Sequence, residues 1–111
     1  MTSSDVGAPA PACTEEGFLR NVDDWNRDVA RLLARREGIE LTEEHWEVLY
    51  LLRDYWVAFD SSPAMRALVK YVRMQLGEEK GRSIYLLRLF PGSPAKIGSK
   101  IAGLPKPANC L

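Results

Sequence analysis

Cys110 stands one residue from the end of the 111-residue sequence, behind the stretch Lys100-Ile-Ala-Gly-Leu-Pro-Lys-Pro-Ala-Asn-Cys-Leu111. A structural cysteine is seldom placed at a chain end, where a domain is least ordered and most exposed. Pro105 and Pro107 fix two φ angles and withhold two amide donors, so the segment cannot continue a helix or join a central strand. An extended, polyproline-like arm is expected over 104–111, with a reach of about 20 Å from Leu104 to Cys110. A thiol on such an arm can enter another protein's active site and carry a reactive group between partners. That makes Cys110 the candidate catalytic residue.

The other candidates are weaker. Cys13 lies at the edge of a Pro/Ala-rich tail and reads as an incidental surface thiol. His45 is the only histidine. A general base needs a partner acid or nucleophile, and no spacing in the chain supplies one, so a capping or partly buried imidazole is expected. One His and two Cys cannot make four zinc ligands of the usual N/S type, and no metal site or cofactor-binding motif is present.

Composition bounds the rest. The length fits one domain, and 46% hydrophobic residues with three tryptophans can build a core without staples. No run of about 18 apolar residues appears, so no membrane association is expected. The first twelve residues carry neither a basic nor an apolar targeting region. Two cysteines 97 positions apart make no disulfide framework, which suits a reducing, cytoplasmic setting. The formal charge of zero hides a division: thirteen Asp/Glu and six Lys/Arg in residues 1–60, two and nine in 61–111. A basic half suits an anionic partner such as RNA or an acidic protein face.

The elements that must position Cys110 read as helices. Residues 1–14 are expected to form a disordered tail and 15–103 the helical domain. Asp23-Asp24 offer capping oxygens for a first helix to about Arg36, with Trp25, Val29, Leu32 and Leu33 on one face and Gly38 as its stop. Thr42 caps a second helix from Glu43 to about Phe59, apolar nearly all round and therefore expected to be central, with Trp46 and Trp56 buried. Ser62-Pro63 starts a third, whose opposite face carries Arg66, Lys70 and Arg73. Ser83 caps a short fourth helix to Phe90. Ser93-Pro94 opens a last one to about Ala102, ended by Gly103. Strand signals are weak. The fold class is mostly α, a compact orthogonal bundle of about five helices with an arm.

Several ordered motifs resemble the DsrC/TusE family of sulfur carriers, also called the gamma subunit family of dissimilatory sulfite reductase. They are Gly17-Phe18-Leu19, Leu41-Thr-Glu-Glu-His-Trp-Glu-Val48, Ser62-Pro-Ala-Met-Arg-Ala-Leu-Val-Lys70, Gly77-Glu-Glu-Lys-Gly81, Tyr85-Leu86, Leu89-Phe-Pro-Gly92, Pro94-Ala-Lys96 and the tail. The resemblance implies a helix-turn-helix-like domain preceded by a small β-hairpin. It also implies a persulfide on Cys110. Two-cysteine members carry their second cysteine where this chain has Ser99, and a serine oxygen forms no disulfide or trisulfide. The chain therefore resembles the single-cysteine, TusE-like branch.

That branch implies a sulfurtransferase in the sense of a persulfide carrier rather than an autonomous catalyst. It would take sulfur from a TusBCD/DsrEFH-like donor complex and pass it to an MnmA-like tRNA thiolase with its tRNA, with no small-molecule cofactor. Two alternatives compete with it: a single-cysteine DsrC-like paralogue in sulfur oxidation, acting in relay or regulation, and a DNA-binding regulator using the basic helices.

Overall fold

The computed structural model describes residues 10–108. Five helices follow one another: α1 Arg27–Arg36, α2 Glu43–Phe59, α3 Met65–Leu76, α4 Ser83–Leu89 and α5 Pro94–Ile101. Among the described residues there is no sheet. Where the resemblance implied a hairpin, a single antiparallel bridge joins Cys13 and Leu19 across a tight turn, closed by Thr14 N–H on the Phe18 carbonyl at 2.7 Å. The expected domain boundary at Glu15 cuts through this turn. Cys13 packs against the core as a half-buried side chain rather than trailing on a tail.

The first helix starts later than the aspartates suggest. Asn21 caps a 3-10 turn over Val22–Asp24, and Asn26 caps α1, its side chain accepting from Val29 N–H at 2.9 Å. Trp25 therefore lies between the two elements, off the helix face on which the spacing placed it. The expected helix dipole pattern holds, with Asp28 in the first turn of α1 and Arg35 and Arg36 in the last.

The centre of the molecule is α5, not α2. It packs against each of the other four helices. Its side chains Pro94, Ala95, Ser99, Lys100 and Ile101 are all buried, together with Gly98. Small residues at 95, 98 and 99 let the neighbouring helices come close, which is what a short helix needs to serve as a hub. Ser93 and Pro94 open it as expected, the serine hydroxyl accepting from Lys96 N–H at 3.4 Å.

Helix α2 buries one face of its first half, through His45, Val48, Leu49 and Leu52. Trp46 and Trp56 are half-buried, while Val57 and Phe59 are 84% and 57% exposed. The apolar residues that seemed to circle this helix divide into a core stripe and a solvent-facing aromatic end. His45 is buried and structural. Its Nδ1 accepts from Thr42 N–H at 3.0 Å, so the proton sits on Nε2, which donates to the Leu89 carbonyl at 2.8 Å. The Phe90 ring, fully buried, meets the imidazole edge-on at 5.3 Å. One side chain thus caps α2 and ties it to the end of α4.

Candidate functional site: the base of the carboxy-terminal arm

Cys110, the expected catalytic residue, lies outside the described residues; the segment that leads to it does not. Its direction is set where α5 ends. Leu104 N–H returns to the Ser99 carbonyl at 2.9 Å and Gly103 N–H to the Lys100 carbonyl at 3.1 Å. These bonds form a Schellman motif, with Gly103 in the left-handed region at φ 75°. Gly103 is also pressed against Trp25: a Cβ there would lie 2.5 Å from the indole Cδ1.

The two carbonyls of α5 that the motif leaves over are taken by side chains from elsewhere. Trp25 Nε1–H donates to the Ile101 carbonyl at 2.8 Å, and Arg53 Nη1 donates to the Ala102 carbonyl at 3.0 Å. The Arg53 guanidinium lies over the Trp25 ring, 4.5 Å from its centroid. Burial draws this guanidinium below its ordinary pKa, offset by the charge of Asp23. The helix end is closed from three sides, so the chain leaves it in one direction.

Beyond Gly103 the chain stays on the protein. Leu104 is fully buried and Pro107 is buried, although the arm was expected to leave the domain at 104. Ser62, expected to cap α3, instead donates its hydroxyl to the Pro105 carbonyl at 2.6 Å, and Ala64 takes the cap position without a side-chain bond. Lys106 Nζ lies 3.1 Å from Glu16, which also faces Lys96 at 3.9 Å. The Lys106 hydrogen bond is the main reason that the Glu16 carboxyl is held below its usual pKa. The amino-terminal turn and the base of the arm thus form one surface, with a shallow pocket between Phe18, Arg20, Pro105 and Lys106.

Lys100 is committed in the same way. Its Nζ lies 3.1 Å from Glu37, with only 11% of its side chain exposed, and 5.1 Å from the Phe18 ring centroid. Glu37 is the C-cap of α1, in a second Schellman motif in which Ile39 N–H bonds the Ala34 carbonyl at 2.9 Å. The pair therefore links the end of α1 to the end of α5. Neither lysine that the sequence offers near Cys110 is a free cation for its thiol.

Ser99 is wholly buried, and its hydroxyl has no hydrogen-bond partner among the described residues. A buried unsatisfied hydroxyl costs on the order of 1–3 kcal/mol. Cysteine behaves as a small hydrophobe of nearly the same shape. Ser99→Cys should therefore raise stability by about 1 kcal/mol in denaturant unfolding under reducing conditions. A loss of stability would show that the serine hydroxyl is paired after all.

Sequence reasoning did not assign Trp25, Arg53, Glu16 or Glu37 to this site. Their partners are far off in the chain, and no spacing carries the pairing. Ser62 did carry a signal, a serine before a proline, but one that two different uses share.

The described residues thus form a helical domain whose last helix is buried and whose following segment is held against it through Pro107. The chain belongs to the DsrC-like protein family, whose model matches residues 6–111. It is 53% identical over 96 residues to a sulfurtransferase TusE of Photorhabdus laumondii, covering 86% of each chain. Among solved structures it is similar to DsrC of Allochromatium vinosum, with a TM-score of 0.81 and 47% identity, covering 89% of this chain and 88% of that one. The oxidized gamma subunit of the dissimilatory sulfite reductase from Archaeoglobus fulgidus matches with a TM-score of 0.78 and 39% identity over 91% and 92%.

Proposed function

We propose that this protein is a sulfur-relay carrier that holds a persulfide on Cys110. It takes sulfur from a TusBCD/DsrEFH-like donor complex and passes it to an MnmA-like tRNA thiolase with its tRNA, in the cytoplasm. The observation that supports the reading most directly is the family match, which runs through residue 111 and so takes in Cys110, in a chain whose similar relatives include proteins named sulfurtransferase TusE.

The chemistry asks little of the carrier. A Cys110 thiolate attacks the outer sulfur of a donor persulfide; the new S–S bond forms as the old one breaks, and the donor leaves as a thiolate. No net electrons are exchanged. An acceptor thiolate then repeats the step on the Cys110 persulfide. Free cysteine near pKa 8.5 is only a few per cent ionised at neutral pH. Lys100 and Lys106 each face a carboxylate, so the extra ionisation has to come from the partner's pocket.

Incubation with a persulfidated donor protein should add about 32 Da per sulfur atom to the intact mass, and peptide mapping should place it on Cys110. Sulfur found on Cys13 instead would overturn the assignment. Cys13 Sγ is half-buried, donates towards the Pro11 carbonyl at 3.6 Å and lies 3.9 Å from Arg36 Nη1, which leaves it poorly placed to meet a donor.

A further inference from the structure

The two ion pairs at the base of the arm differ in a way that gives Glu16 a task of its own. Lys100 and Glu37 have only 11% and 23% of their side chains exposed. Parting them would leave each charge without its partner where water barely reaches, so the end of α5 stays where it is. Lys106 and Glu16 are 33% and 52% exposed, and water takes up both charges when they part. Glu16 also has a second lysine within reach. Lys96 Nζ, on α5, lies 3.9 Å from the same Oε2 that Lys106 meets at 3.1 Å. When Lys106 leaves, the carboxylate can close on Lys96, which lowers the cost of letting go.

The turn that carries Glu16 is built to hold it still. Gly17 N–H donates to the Thr14 carbonyl at 2.9 Å, and Phe18 N–H donates to the Thr14 hydroxyl at 3.1 Å. Gly17 sits at φ 94°, a backbone conformation that closes the turn and that other residues rarely adopt. Phe18 and Leu19 follow at once and are buried, which roots the turn in the domain. On the arm side, Lys106 Nζ meets both Glu16 oxygens, at 3.3 and 3.1 Å. A fixed carboxylate thus faces a lysine on the arm and a lysine on the hub helix.

We propose that Glu16 is a positioning residue for the arm: bound to Lys106 it keeps residues 105–107 in one direction, and by passing to Lys96 it releases them. It works on Cys110 only through Lys106, and its bearing on transfer rests on the sulfur-relay reading. A held base confines the thiol to a small volume, in which a docked partner finds it at high effective concentration. An exposed ion pair biases such a two-state equilibrium by up to about fivefold, so a partner's own contacts can override it.

The test is backbone nitrogen-15 relaxation of the reduced full-length protein, read at the amides of residues 106 and 108. Glu16→Gln removes the charge and keeps the shape. It should lower the order parameters there, from about 0.85 for a held backbone towards the 0.6 of a flexible one. Salt raised from about 0.01 to 1 M shortens the screening length from about 30 to 3 Å. It should loosen the parent in the same way and leave Glu16→Gln unchanged. Lys106→Gln should match Glu16→Gln, and the double variant should be no looser than either, as expected for one shared contact. Lys96→Gln should act in the opposite sense and tighten the arm, because it takes away the carboxylate's second partner. Unchanged order parameters at Phe18 and Leu19 confirm that the turn itself is intact.

An arm indifferent to both Glu16→Gln and salt would overturn the proposal. So would additive loosening in the double variant, or a Lys96→Gln variant as loose as Glu16→Gln, which would make the three side chains a static cluster. The protein carries no added sulfur in this measurement. Its failure therefore leaves the sulfur-carrier reading standing, and failure of sulfur uptake at Cys110 leaves the hold of Glu16 on the arm standing.

Discussion

Cys110→Ser should end sulfur transfer altogether, with neither a mass gain from a persulfidated donor nor thiolation in a reconstituted relay. The size of the effect follows from the chemistry. A serine hydroxyl near neutral pH is not a nucleophile towards sulfur and cannot carry a sulfane atom. The remaining cysteine, Cys13, is half-buried and packed against the core, on the turn that carries the Leu19 bridge. The fold should be indifferent to the change, because every core side chain described above precedes residue 108. A thermal midpoint that stays in place while transfer is lost is the expected pair of results. Transfer that survives in Cys110→Ser would remove the carrier mechanism.

Phe90→Ala should have the largest effect on stability of any substitution considered. The ring is fully buried, meets His45 edge-on and fills the space where α4 ends against α5. Removing a buried phenylalanine side chain costs roughly 3–5 kcal/mol through lost transfer energy and the cavity left behind. For a domain whose whole stability is of the order of 5–15 kcal/mol, that is a midpoint lowered by roughly 15–25 °C. Trp46→Ala serves as the comparison. Trp46 looks as central as Phe90 in the sequence, yet it is half-buried under Arg27, whose guanidinium carbon sits 3.9 Å from the ring centroid. Its loss should cost clearly less. Equal losses at the two positions would mean that α2, rather than α5, is the hub.

That comparison shows what the sequence made legible. The five helices, their order and most of their ends follow from apolar spacing, glycine stops and Ser-Pro starts, because these are local signals. Gly38 and Gly103 end their helices as the composition suggests. What the sequence could not rank was burial. Helix α2 has more large apolar residues than any other, but α5, with Ala95, Gly98 and Ser99, holds the centre because small side chains let four neighbours approach. Hydrophobicity measures what a residue gains from burial, not whether the packing has room for it. The base of the candidate site was illegible. Cys110 is a candidate by its position and type alone, whereas Ser62, Trp25, Arg53 and Glu16 act across 43, 76, 49 and 90 positions of chain. No pattern in the sequence carries those pairings.

The anchoring of Pro105, Lys106 and Pro107 also sets a depth gauge. With Pro107 held against the domain, Cys110 lies three residues further on, and three extended residues span at most about 10 Å. A thiol on so short a tether can probe a shallow pocket, provided that the partner's rim lies flush with the surface around Ser62 and Glu16. A deeper pocket exacts a toll: the Ser62–Pro105 hydrogen bond and the Lys106–Glu16 pair must first open, freeing a tether about twice as long. On the proposed relay reading, donors and acceptors would therefore be told apart by depth alone. Shallow ones meet the protein as it stands, and deep ones are served only by partners whose own contacts repay the unfastening.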